Sequence, residues 1–360
     1  MRLRTLRLDR IGRLLAPLVA AALLLGSPSF APAQTERLPK VGYLGFGGAV
    51  PPTIFQNRMR ELRYSEGKEV TVEYRFAGGR PGELPRLARE LVDAKVDVIM
   101  AVGDEAIVAA KNATRTVPIV MVACDAVTTG FVESLARPGG NLTGVTCITS
   151  ELMPKRMAVF RELLPSASRL VVIYNPENVS KPPEAARLVE LAKELGLDAK
   201  AVQFRTAEDI ERAFSAFATD RPDGLVVLTE QRSIAHAKLL AELSRRERLP
   251  VMHSFSEGVH AGGLISYGPN YREMVVMATN YAAKILKGSK PAELPVEQPT
   301  RFELVINLKT AKEIGLTIPP SLLARADEVM ADTVAKVESR TPLKISRKSF
   351  LKSFYCCKGL

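Results

Sequence analysis

Three acidic residues, Asp104, Asp125 and Glu230, follow directly on short apolar runs. Carboxylates in such places can hold an ammonium through charge-assisted hydrogen bonds. Phe46, Tyr174, Phe255, Tyr267 and Tyr271 occupy similar positions, and aromatic rings there can wall an apolar body. Asn175 and Asn178 supply neutral donors after another such run. Gly103 precedes Asp104 where a helix is expected to start, and free amides at a helix start favour an anionic group. Together these residues suit recognition of a small amphipathic molecule bearing an amine, with an amino acid favoured. A sugar or a short organic acid also stays open. Each acid has a plainer reading too: Asp104 and Asp125 as helix N-caps, Glu230 as a first-turn charge favoured by the helix dipole.

Bond-making chemistry finds no support in the residue pattern. His236, His253 and His260 are the three histidines, all in one part of the chain, and no G-x-S-x-G elbow, H-E-x-x-H or P-loop accompanies them. Gly42, Gly45, Gly47 and Gly48 spell G-x-x-G-x-G-G, which departs from the dinucleotide fingerprint, and no acidic residue ends the second strand as a ribose partner would. A two-lobed racemase would need a thiol at the strand ends of each half. Cys124 qualifies, but Asn175 and Thr229-Glu230-Gln231 offer no second one. The four cysteines, Cys124, Cys147, Cys356 and Cys357, fit no zinc spacing. Cys124 and Cys147 could pair in an oxidising compartment, but buried free thiols are the favoured expectation. No catalytic residue, metal or cofactor is expected.

Residues like these need elements to aim them. From Lys40 onward, apolar runs alternate with helical periods. The strands expected are Val41–Phe46, Val70–Phe76, Val96–Val102, Ile119–Ala123 and Gly144–Ile148, then Leu170–Tyr174, Ala199–Phe204, Gly224–Leu228, Pro250–Phe255 and Gly263–Tyr267, with Phe302–Asn307 near the end. Many are continuous rather than alternating, as parallel strands covered on both faces are. Leu84, Leu87, Ala88, Leu91 and Val92 make a helical stripe, and so do Ile210, Ala213, Phe214 and Phe217, opened by the capping pair Thr206 and Asp209. A helix is expected over Asn270–Lys287, and Pro319-Pro320 opens the last one. The series restarts near residue 150, so two α/β lobes fit better than one large sheet, although no internal repeat is visible residue by residue. In open parallel sheets, ligands bind beyond the carboxyl ends of the strands. Applied here, that rule gathers Phe46, Gly103, Asp104, Asp125, Asn175, Asn178, Glu230, Phe255 and Tyr267 around one cleft.

The 360-residue chain carries a net charge of +11, but the charge sits at its ends. Five arginines face one Asp9 in residues 1–13, and seven basic residues face Asp332 and Glu338 in residues 331–360. The near-neutral remainder has no general field for a phosphate backbone, which argues against nucleic acid. The first arginines lead into an apolar run, Leu14 to Leu25, and then Ala31-Pro32-Ala33. That order reads as a secretory signal peptide over residues 1–33, cleaved after Ala33, and so implies a periplasmic protein. The run is too short to span a bilayer. Residues 331–360 lose apolar periodicity and read as a basic, disordered tail.

The stretch FQNRMRELRYSEGKEVTVEYRFAGGRPGELPRLARELVDAKVDVIMAVG, Phe55 to Gly103, resembles the extracytoplasmic substrate-binding proteins of ABC importers, in particular the tryptophan/tyrosine-type family. TVPIVMVACDAVTTGFVESLARPGGNLTGVT (Thr116–Thr146), LMPKRMAVFRELLP (Leu152–Pro165) and FELVINLKTAKEIGLTIP (Phe302–Pro319) extend the likeness. The resemblance implies a type I periplasmic binding fold: two doubly wound parallel-sheet lobes joined by a three-strand hinge, closing like a Venus flytrap. It further implies lobe I over 38–150 with 268–294 and lobe II over 151–267 with 295–330, with hinges near Thr149–Ser150, Phe255–Ser256 and Tyr267–Gly268. A monomer that hands its solute to permease subunits is expected. A solute sensor for a signalling partner and, less favoured, a racemase or isomerase are the alternatives.

Overall fold

The structure, a computed structural model, describes residues 37–47 and 52–331. The expected signal peptide and nearly all of the expected tail lie outside the described residues. Arg37 and Leu38 belong to an N-terminal unit that ends at Leu38, and the body begins at Pro39.

The first half runs β1 (Lys40–Gly45), α1 (Thr53–Glu61), β2 (Thr71–Phe76), α2 (Leu84–Asp93), β3 (Val98–Val102), α3 (Asp104–Ala113), β4 (Ile119–Cys124) and β5 (Leu142–Cys147). Its strands form a parallel sheet in the order β2-β1-β3-β4-β5. All side chains of β3 and β4 are buried, which is why those runs are apolar throughout: helices cover both faces. The stripe of α2 buries Leu84, Leu87, Ala88 and Leu91 against one face. Phe55 and Met59 of α1 pack on the other.

The chain then enters the second half through α4 (Thr149–Leu163), followed by β6 (Arg169–Tyr174), α5 (Lys181–Glu194), β7 (Asp198–Gln203), α6 (Ala207–Ala216), β8 (Gly224–Val227), α7 (Gln231–Ala235), α8 (Ala237–Arg246), β9 (Val251–His253), α9 (Ser256–His260) and β10 (Ile265–Pro269). It returns to the first half as α10 (Tyr271–Leu286), and comes back as β11 (Phe302–Asn307), α11 (Leu308–Ile314), α12 (Pro320–Arg325) and β12 (Glu328–Met330). The second sheet has the order β12-β11-β10-β9-β8-β6-β7. Strands β6 to β10 therefore repeat the winding of β1 to β5, a duplication of topology that the side chains do not record. β11 runs antiparallel to β10, a departure from an all-parallel sheet, and β12, not expected from the sequence, pairs with β11.

Helix α10 buries Met274, Val275, Ala278, Tyr281 and Ala282 in the core beneath the first sheet. After it, residues 296–297 run beside β5, where Thr146 N donates to Glu297 O at 3.0 Å. Two lobes are thus linked by three passages: β5 to α4, β10 to α10, and the segment between Glu297 and Phe302. The last differs from expectation. Phe255–Ser256 is no passage, because α9 stays packed on β10 and β11. Cys124 and Cys147 also differ: they are register partners on β4 and β5, with Cα atoms 4.3 Å apart, and form a disulfide rather than free thiols. Adjacent strands bring the two within bridging range.

Candidate functional site

Each sheet reverses its strand order once at the 2-1-3 step, between β1 and β3 in lobe I and between β6 and β8 in lobe II. Such switch points leave a crevice beyond the carboxyl ends of the strands. The two crevices face each other and line a cavity between them. Lobe I lines it with Gly103 and Asp104 at the start of α3, Val122, Ala123 and Cys124 at the end of β4, and Tyr271 and Met274 on the first turn of α10. Lobe II contributes Asn178, Ser180 and Lys181 before and at the start of α5, Thr229, Glu230, Gln231 and Ile234 after β8, and Phe255 after β9. The wall is largely apolar, with the Phe255 and Tyr271 rings meeting edge to face, centroids 5.7 Å apart.

Gly103 and Asp104 stand together at the α3 start. Gly103 has φ +92°, a conformation that glycine alone adopts easily. Burial pushes the Asp104 carboxyl above its usual range, while Lys181 and the Ser180 hydroxyl of the opposite lobe pull it back. Burial works against the Lys181 charge, but Glu184 and Asp104 more than offset it and hold its pKa above the ordinary value. Its Nζ lies 2.7 Å from Glu184 Oε2, both side chains being buried. The next residue, Glu105, accepts hydrogen bonds from Asn175 Nδ2 at 3.4 Å and from Asn178 Nδ2 at 3.3 Å, both across the lobes. Burial first, and then the Glu230 charge, push its carboxyl up to about 8.

Of the residues expected in the cleft, Gly103, Asp104, Asn178, Glu230 and Phe255 line the cavity, whereas Asn175 is outside its wall and donates to Glu105 across the lobes. Glu230 is also the N-cap of α7 rather than a first-turn charge: Oε2 and Oε1 accept from the Arg232 and Ser233 amides at 2.9 and 2.8 Å. Phe46 lies under the Arg232 guanidinium, 5.9 Å from its ring centroid, and is absent from the cavity wall. Asp125 accepts from the Thr149 amide at 3.1 Å and from its hydroxyl, so it braces the first passage between lobes. Burial raises its pKa. Tyr267 lines a separate depression with Lys155, Glu162, Phe302 and Arg325, because its place in β10 turns the ring toward α4. Tyr174 gives its hydroxyl to Gln203, away from the cavity, as acceptor at 2.9 Å.

Lys181 was missed by the sequence reading, although it carried a signal. A lysine on the first turn of a helix opposes the dipole and needs a compensating anion. Arg156 was missed too. It is buried in α4, 3.5 Å from Glu184 Oε1, and its Nε donates to Tyr267 O at 2.9 Å. Gln231, on the other cavity wall, donates Nε2 to the Tyr271 hydroxyl at 2.6 Å. His253 is fully buried and its pKa is lowered to about 4 by that burial. Among the described residues no group of three His, Cys, Asp or Glu could hold a metal ion.

A two-lobed α/β fold whose lobes share a cavity at facing strand ends defines a protein that holds a small molecule between them. The chain belongs to the ABC transporter substrate binding protein family, whose pattern it matches over residues 54–330. This is a family of binding proteins, not enzymes. Its relatives include the tyrosine-binding protein of Clostridioides difficile, 26% identical over 73% of this chain and 75% of that protein. A conserved domain protein of Vibrio cholerae has a similar structure, with TM-score 0.75 and 26% identity over 81% of this chain and all of that one. So does an ABC domain of Streptococcus pneumonia solved in complex with L-Trp, with TM-score 0.75 and 22% identity over 81% of this chain and all of that one.

Proposed function

We infer that this protein is the periplasmic solute-binding component of an ABC importer, a monomer that encloses an amino acid or close relative between its lobes and delivers it to the permease. Lobe I comprises 38–150 with 268–294, and lobe II 151–267 with 295–330. The observation that carries the reading is the cavity itself: aromatic and aliphatic walls from both lobes, with the buried Asp104 carboxylate at one end. An apolar body with an ammonium matches that pairing, because a buried carboxylate gains most from a charged donor. Asp104 is its partner in this reading, with Asn178 and the Gly103 turn orienting the rest of the solute. Relatives and structural neighbours whose names carry tyrosine and L-Trp support an aromatic amino acid as the first solute to test.

A thermal-shift screen of the purified chain against amino acids, sugars and organic acids tests this. A solute that binds only the folded state adds ~2.7 kcal/mol of stability at a hundred times its dissociation constant. A raised melting temperature with an amino acid, with the solute recovered unchanged, is the expected result. Shifts confined to sugars or organic acids contradict the amino-acid reading.

A further inference from the structure

The cavity beside Gly103 and Tyr271 has about 40 Å³ of free space, far below the ~300 Å³ at which small-molecule pockets usually begin. A neighbouring depression between the lobes, lined by Asp125, Thr129, Ser180 and Glu184, has about 200 Å³, so the crowding is local to Gly103 and Tyr271. Gln231, the first residue of α7, reaches from lobe II into lobe I, where its Nε2 donates to the Tyr271 hydroxyl at 2.6 Å. Its Cγ lies 2.6 Å from the point where a side-chain carbon on Gly103 would stand. Both Gln231 and Tyr271 are buried. The side chain thus has an apolar stem against the α3 start and a polar tip on Tyr271. That is the outline of a small amphipathic solute.

The geometry points to Gln231 as an internal occupant of the solute site: its side chain stands where part of the solute goes, and solute enters by displacing it from Tyr271 and Gly103. The inference rests on reading the cleft as the solute site. In this structure the Gln231–Tyr271 bond ties the lobes together. Once displaced, the Tyr271 hydroxyl is free to meet a polar group of the solute. Glutamine suits the part, since it is long enough to cross and uncharged. A glutamate here would face Asp104, Glu105 and Glu230. The tie draws on the solute's own affinity, because a solute that must first break a competing contact binds more weakly by the fraction of molecules already open.

Small-angle X-ray scattering of the full chain, freed of solute by partial unfolding and refolding, tests the tie without any ligand. Gln231→Ala and Tyr271→Phe should both show a larger radius of gyration than wild type, with unchanged far-ultraviolet circular dichroism. Titration with L-tryptophan then tests displacement. Gln231→Ala should bind about fivefold tighter than wild type, the worth of one net hydrogen bond. Equal scattering of wild type and both variants overturns the inference. So does weaker L-tryptophan binding by Gln231→Ala, which would make Gln231 a solute contact. If wild type takes up no L-tryptophan, the proposed solute class fails while the scattering comparison still decides the tie.

Discussion

Glu105 of lobe I accepts a hydrogen bond from Asn178 of lobe II, Nδ2 to Oε2 at 3.3 Å, in a setting that pushes its carboxyl up to about 8. Burial is the main cause, followed by Glu230. Asp104 adds to it, and Arg232 opposes it. When the lobes part, Glu105 meets water and returns toward the ordinary ~4.3 of a glutamate. Closing therefore takes up a proton. The stabilisation of the closed form is complete below the open-state pKa and is lost as pH rises through the closed-state value. Scattering of the solute-free chain should show the closed fraction falling between pH 5 and pH 8, by at most about tenfold in ratio per pH unit for one linked proton. Glu105→Gln should flatten that profile.

Gly103→Ala should hold the lobes apart. The new carbon would sit 2.6 Å from Gln231 Cγ, and the backbone at φ +92° strains any L side chain. The conformational strain alone costs about 1–3 kcal/mol. A raised radius of gyration, together with a lowered melting temperature, checks this.

Reduction of the Cys124–Cys147 bridge, or Cys124→Ser with Cys147→Ser, should destabilise lobe I. The cross-link closes a 23-residue separation, for which the chain-entropy account gives roughly 3 kcal/mol. Calorimetric melting in the presence and absence of a reductant measures the loss. An unchanged melting temperature would exclude the bridge.

Lys181→Met should be costlier than its surface equivalents. It leaves the buried Asp104 without its nearby cation and Glu184 with Arg156 alone, and removing one partner of a buried pair typically costs about 3–5 kcal/mol. Chemical denaturation should show the drop, and Lys193→Met on the same helix should not.

Much of the fold was legible because parallel strands covered on both faces are apolar along their whole length. That makes Ile119–Ala123 and Leu170–Tyr174 stand out, and it fixes which residues follow them. Asp104, Asn178 and Phe255 were readable as strand-end residues for the same reason. Tyr267 misled because position at a strand end does not say to which side a side chain turns. The Cys124–Cys147 bridge depends on the register of β4 against β5, a tertiary fact. β12 has no apolar run, since it is a short, largely exposed edge. Gln231 looked like one more polar residue after β8, because its partner Tyr271 is 40 residues away and in the other lobe.

Isothermal titration of the wild-type chain and of Asp104→Asn with L-tryptophan, L-tyrosine and L-leucine tests the central claim most directly. Saturable binding of at least one of them, at one molecule per chain, is expected. Asp104→Asn should bind roughly tenfold to a hundredfold more weakly, the loss of a hydrogen bond to a charged group. The chain contains no tryptophan, so L-tryptophan emission can be followed alongside without background. No saturable heat from any of the three, or binding indifferent to Asp104→Asn, would contradict an amino-acid site in this cleft.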